Sequence, residues 1–345
     1  MPNPAARSLS RRGLLTAGGA VALGAVLAAC GGKEKDGAAA AGQGPASGPW
    51  TFTDGRGKQL NLPARPKRVV AYVGAAAALW DFGVRDQIIG VYGPAKLPDG
   101  RPDPQIGEVD VNKVTIIGNA YGEFNIEKYA ALRPELLVDH IFVQDQLFYV
   151  PADHKDKIFA VAPSAGVLVG RVPLPKAIEN YAALAASLGA DLKAAPVVEA
   201  KARFDRAAQA VRDAVKANPG VKVLAGAGMA DNFYVSSPAK NSDIMYFKEL
   251  GVDFVVPQKV DKDGYFEALS WENADKYHAD VIMLDARTQS LQPPALASKP
   301  TWKDLPAVKN DQVIPWHPEP RFSWAGCAQN MEALANTIKS AKKVR

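Results

Sequence analysis

The chain has 345 residues, 48% of them hydrophobic, a formal net charge of +5 and two cysteines. Three of its arginines lie in the first 29 residues, so the remaining body carries about +2 and offers no electrostatic footprint for nucleic acid. That body, about 295 residues, is long enough for two domains with cores of their own.

Residues 1–29 contain no acid, and the apolar run from Gly13 to Ala29 is too short and too rich in glycine and alanine for a membrane span. It reads as a cleaved signal. Within it Ser10-Arg11-Arg12-Gly13-Leu14-Leu15 resembles the twin-arginine export motif, without the usual aromatic after the variable residue; the general secretory route is the alternative. Leu27-Ala28-Ala29-Cys30 resembles a bacterial lipobox, in which the cysteine thiol takes a diacylglycerol. Lipidation of Cys30 leaves Cys327 as the one thiol, so no intrachain disulfide is expected. Residues 30–49 are small, polar and aperiodic and read as a tether. The expected location is the outer face of a cytoplasmic membrane, with the folded body held there by lipid.

From Trp50 to Leu62 apolar and polar residues alternate about Asp54-Gly55, a hairpin signal. A buried strand at Val69–Val73, a helix at Ala75–Phe82 and a strand at Ile88–Val91 follow, and this alternation predicts an open α/β sheet. Ligands of such sheets bind beyond the carboxyl ends of the strands, which puts Tyr72, Tyr92, Tyr121 and Phe142 on a candidate rim. Tyr72 fits a core position equally well. Residues 194–218 carry Val197, Ala200, Phe204, Ala207, Val211 and Val215 at helical spacing, and Asn218-Pro219-Gly220 ends the run. A helix of that length spans roughly 35 Å.

The sequence on its two sides matches. Asn125–Asp139 and Ser270–Leu284 share one layout, placing Glu127 on Glu272, and Leu79–Val84 matches Phe247–Val252, each a helix closed by glycine. Two α/β lobes, residues 50–193 and 219–345, held apart by the helix 194–218 are therefore expected. In the second lobe Asn232, Tyr234 and Arg287 follow strands. The loop from Trp316 to Trp324 gathers two tryptophans, His317 and Arg321. Aromatic walls with a few charged donors suit a bulky, oxygen-rich chelate. The tryptophans could instead fill the lobe's core, but their company favours at least one on the cleft.

The hairpin and first strands, the FNIEKYAALRPELLVDH segment, the long helix and Trp302–Asn310 resemble, over residues 50–340, the periplasmic binding proteins of ferric-siderophore and cobalamin ABC importers. The resemblance implies a class III architecture: two Rossmann-like lobes, one connecting helix, and a ligand held between them with little closure. It implies a monomer that captures a ferric siderophore, hydroxamate type favoured, and delivers it to an ABC permease. It also implies that Glu127 and Glu272 dock permease arginines, one per lobe. Cobalamin or haem is the alternative cargo. Hydroxamate-binding relatives often carry an arginine where Tyr121 stands, so Arg287 or Arg321 would have to supply that charge. The four histidines, His140, His154, His278 and His317, do not pair at ligand spacing, so no bare metal site and no cofactor are expected. No G-x-S-x-G, H-E-x-x-H or Walker A motif supports an exported hydrolase; Ser236, Ser237 and His317 are its weak candidates.

Overall fold

The computed structural model describes residues 48–143 and 145–345; the signal, Cys30 and the tether lie outside the described residues, apart from Gly48 and Pro49. A hairpin of β1 (Trp50–Thr53) and β2 (Gln59–Leu62) opens the fold. Its turn is tied down by the buried Asp54 carboxylate, which accepts N–H bonds from Arg56, Lys58 and, across the chain, Gly166.

The first lobe runs β3 (Val69–Tyr72), α1 (Val73–Asp81), β4 (Ile88–Tyr92), β5 (Thr115–Gly118), α2 (Ile126–Ala131), β6 (Leu136–Ile141), α3 (Lys155–Val161), β7 (Ser164–Leu168) and α4 (Leu174–Ser187). All five strands of its sheet, in the order β5-β4-β3-β6-β7, are parallel, and β3 and β6 are wholly buried, as strands covered on both faces must be. The helix α5 (Ala195–Ala217) leads to the second lobe: β8 (Lys222–Gly228), β9 (Asn232–Ser236), α6 (Ser242–Glu249), β10 (Asp253–Phe254), β11 (Phe266–Ser270), β12 (Val281–Asp285), α7 (Pro293–Leu296), α8 (Pro300–Asp304), α9 (Pro306–Lys309), β13 (Val313–Trp316) and α10 (Trp324–Ser340). Its sheet is ordered β11-β9-β8-β12-β13, with β10 beside the start of β8. Here β9 and β11 run antiparallel, because the chain turns back at Met229, whose N–H bonds to the Asn232 carbonyl at 2.9 Å.

The matched segments take matched roles. Gly83 and Gly251 both follow a helix at positive φ, 97° and 103°, where a side chain would be strained. Their N–H groups close onto Trp80 and Lys248, and the next residues, Val84 and Val252, bond back to Leu79 and Phe247 at 3.0 and 3.1 Å. Glu127 stands in the first turn of α2 and Glu272 in a single 3-10 turn, Trp271–Asn273; both are exposed. The second copy of the motif has thus lost its α-helix but kept the position of its acid.

The connecting helix joins the two lobes, and it is packed into a core that both share. Val197, Phe204, Ala207, Ala208, Val211 and Ala214 are buried, α10 lies along it, and one apolar cluster runs from the first sheet through α4, α5 and α10 to β8 and β12. A smaller cluster, including Phe233, Trp271, Ile282 and Trp302, fills the other side of the second sheet. The gap between the lobes lies beyond the carboxyl ends of the parallel strands and beside the start of β11.

Around that gap the lobes are stitched together. Tyr265 Oη donates to the Phe142 carbonyl at 2.7 Å, Ser242 Oγ to Val169 O at 2.7 Å, the Arg171 N–H to Lys240 O at 2.8 Å, and Thr288 Oγ1 to Asp103 Oδ2 at 3.1 Å. These four bonds cross from one lobe to the other.

Candidate functional site

A cleft of about 670 Å³ lies between the lobes. Its first-lobe wall is aromatic: Tyr121 beyond β5, then Phe142, Phe148 and Tyr149 in the loop beyond β6. Buried Asp139, within β6, shapes that loop by accepting the N–H groups of His140, Tyr149 and Val150 at 2.7, 2.9 and 3.1 Å. Burial lifts its carboxyl to about 7 against the pull of those bonds. Tyr149 so placed stacks on Tyr72, ring centroids 3.7 Å apart and planes 9° from parallel.

The second-lobe wall brings Met229, Tyr265 and Phe266, with Asp261, Asp263, Arg287 and Glu319. Asp261 caps the tight turn before β11 by accepting the N–H groups of Asp263, Gly264 and Tyr265. Arg287, just past β12, is 14% exposed. Its Nε and Nη2 fork onto fully buried Asp285 at 3.1 and 2.6 Å, and its Nη1 is ion-paired to Glu319. Burial pulls the guanidinium pKa down, but Glu319 and Asp285 more than offset it, so the net shift is upward and the charge is permanent.

A hydrogen-bond chain joins the walls. Tyr121 Oη donates to Gln105 Oε1 at 2.8 Å, Gln105 Nε2 to Tyr72 Oη at 3.2 Å, and Tyr72 Oη to Glu319 Oε2 at 3.2 Å. Burial, and next the Glu319 charge, push Tyr121 to about 12 and raise Tyr149 further, so both rings present neutral phenols at neutral pH.

Of the residues picked from the sequence, Tyr121, Phe142 and Arg287 meet on the cleft. Tyr72 and Tyr92 lie beneath it, almost wholly buried, packed edge to face with ring centroids 6.0 Å apart. Neither tryptophan lines it. Trp316 is buried because its Nε1–H finds Asp243 Oδ2 at 2.6 Å, a partner inside the core. Trp324 starts α10 and packs edge-on against Phe204 at 4.9 Å, with Lys201 over its ring. Asn232 and Tyr234 are carried off by the antiparallel turn of β9, where Tyr234 pairs with Ala227 and meets only the edge of Phe266. Arg321 lies behind the cleft, facing Asp81 and Glu108 at 3.5 and 3.6 Å. The residues that sequence reasoning missed, Tyr149, Tyr265, Phe266 and Glu319 above all, sit in loops; the runs Phe148-Tyr149 and Tyr265-Phe266 were their only signal.

Under Tyr72 lies His140, fully buried, with no partner on either ring nitrogen and the rings of Tyr72, Phe142, Tyr181 and Phe322 within 5.1–5.7 Å. Burial drops its imidazole to about 3. The folded value lies below the unfolded one, so this group's contribution to stability is intact above about pH 6.5 and is lost as pH falls towards 3, at up to about 1.4 kcal/mol per unit. Asp139 and Asp243, both raised by burial to about 7, act in the opposite sense over pH 7 to 4. The His140→Leu variant is therefore expected to lose less stability than the parent between pH 7 and 4.5 in denaturant melts. Equal losses would show that His140 does not titrate this way.

Among the described residues no three His, Cys, Asp or Glu side chains converge as a metal site requires. Ser236 is buried and accepts a bond from Asn241 Nδ2 at 2.6 Å, a structural contact.

The periplasmic binding protein family model matches residues 70–320. The solved structure of DesE, a ferric-siderophore receptor protein from Streptomyces coelicolor, is 47% identical, superposes with a TM-score of 0.83, and is covered over 100% of its length by 86% of this chain. FeuA from Bacillus subtilis, a triscatecholate siderophore binding protein complexed with ferri-bacillibactin, and Staphylococcus aureus SirA complexed with staphyloferrin B share the fold. Each is 18% identical, with TM-scores of 0.60 and 0.58; the matches cover 84% and 85% of this chain and 97% and 99% of theirs. A comparison with curated proteins gave no match. The chain belongs to the periplasmic binding protein family, whose members bind a solute rather than transform it.

Proposed function

We propose that this protein captures a ferric siderophore of the hydroxamate type and hands it, as a monomer, to an ABC permease. The observation that carries the hydroxamate choice is the charge of the cleft: three carboxylates, Asp261, Asp263 and Glu319, against the one guanidinium of Arg287, on otherwise aromatic walls. Three hydroxamates neutralise Fe(III), whereas three catecholates leave the complex strongly negative, and a negative cargo would be repelled here. The aromatic faces supply contact area for the chelate's hydrocarbon, and Arg287 supplies donors for its oxygens. The 47% identity with a ferric-siderophore receptor supports the same cargo class.

In this reading the protein works at the outer face of the cytoplasmic membrane, exported by its twin-arginine-like signal and anchored by lipid on Cys30. Glu127 and Glu272 face the permease. Both are exposed, and among the described residues neither is engaged in an ion pair, as docking to partner arginines requires.

Calorimetric titration with a ferric trihydroxamate, a ferric tricatecholate, cobalamin and haem tests the cargo. The ferric trihydroxamate is expected to bind tightest; preference for any of the others overturns the reading. The double variant Glu127→Ala, Glu272→Ala should keep that binding and lose iron uptake in cells, and retained uptake would remove the docking role.

A further inference from the structure

Arg287 spends three of its five N–H donors inside the protein. Asp285 fills Nε and Nη2, and Glu319 fills Nη1. The two carboxylates differ in freedom. Asp285 ends a wholly buried strand and also accepts the Arg287 backbone N–H at 2.9 Å, so it is fixed. Glu319 lies in a loop between Pro318 and Pro320, and its side chain forms part of two walls, that of the main cleft and that of a second cavity of about 390 Å³ behind it. The rear cavity is polar, lined by Gln105, Glu108, His317, Arg321, Gln329 and Asn330.

In that cavity Arg321 is ion-paired only loosely, to Asp81 and Glu108. Arg321 Nη1 is buried and has no hydrogen-bond partner; Asp81 and Glu108 stand off at 3.5 and 3.6 Å. A buried guanidinium N–H without an acceptor costs free energy that an arriving carboxylate would return. Arg287, which lines both cavities, and Arg321, which lines the rear one, therefore offer Glu319 two positions.

Building on the siderophore reading above, we propose that Glu319 is an exchangeable internal ligand: it occupies Arg287 in the empty protein and swings back to Arg321 when a chelate oxygen takes its place. The acid sets specificity by competition. A chelate must be a better partner for Arg287 than Glu319 is, and it must bear the field of a carboxylate that stays nearby. Asn or Gln at 319 would remove both demands, and the gain would grow with the negative charge of the cargo.

The test measures dissociation constants of a ferric trihydroxamate and a ferric tricatecholate for the parent, Glu319→Gln and Arg321→Gln proteins, with melting curves to confirm folding. Glu319→Gln is expected to tighten both ligands, the tricatecholate at least tenfold more than the trihydroxamate. Arg321→Gln, which touches no wall of the main cleft, is expected to weaken the trihydroxamate at least fivefold, because Glu319 loses its second position. If Glu319→Gln weakens both ligands, the acid merely holds Arg287 in place and the exchange is refuted; an unmoved ratio refutes it equally. Should Arg321→Gln melt with the parent yet bind as the parent does, Arg321 is not the destination, and the two-position device falls. Parent protein that binds neither chelate would defeat the siderophore reading and this inference together, whereas binding by the parent with no change in the variants defeats this inference alone.

Discussion

Replacing Arg287 by alanine should cost both cargo binding and folding stability. Among the described residues the side chain is the one cation lining the cleft, and removing it strands fully buried Asp285 and nearly buried Glu319 as uncompensated charges. Breaking a buried pair in this way destabilises by about 3–5 kcal/mol, and loss of a buried charged donor to a ligand weakens binding by about 2–5 kcal/mol. The double variant Arg287→Gln, Asp285→Asn separates the two effects. It removes the deeper of the two stranded charges and restores a neutral hydrogen-bonding pair, leaving Glu319 unpaired, so it should recover part of the melting temperature while chelate binding stays at least thirtyfold weaker. Recovery of binding along with stability would show that Arg287 acts only as scaffold.

Phe204→Ala is the second large effect. This ring, 2% exposed on α5, packs against Trp324 of α10 and stacks with Tyr246 of α6 at 5.8 Å. It therefore sits where the connecting helix, the second lobe and the shared core meet. Deleting a buried phenylalanine removes its transfer energy and leaves a cavity that such a close-packed junction fills poorly, about 3–5 kcal/mol in all. Urea unfolding should show the midpoint fall in one transition, with both lobes reporting together, because they share the apolar cluster around this ring. Two separated transitions would mean that the lobes fold as independent bodies.

Much of the scaffold was legible in the chain because it rests on short-range rules. The helical spacing from Val197 to Val215 marks α5, and Gly83 and Gly251 close their helices through φ values that only glycine adopts freely. The strand, helix, strand alternation marks the sheets. What the chain did not disclose is what each side chain faces. Trp316 sits at a strand end, where a cleft residue is expected, but a buried carboxylate 73 residues away accepts its N–H and the ring stays inside. Tyr149 has no periodic signal of its own; it is carried to the cleft by Asp139, ten residues earlier, through a backbone bond that no pattern encodes. Asn232 and Tyr234 were misplaced for a topological reason. Spacing shows that a strand follows β8 without showing that it runs back beside it.

The bonds that cross between the lobes, from Tyr265 to Phe142, Ser242 to Val169 and Thr288 to Asp103, have a cost for signalling. On the delivery to a permease proposed above, halves so joined would offer the same outline laden or vacant, vacant molecules would compete with laden ones for the same landing place, and unloading would have to be forced by the acceptor.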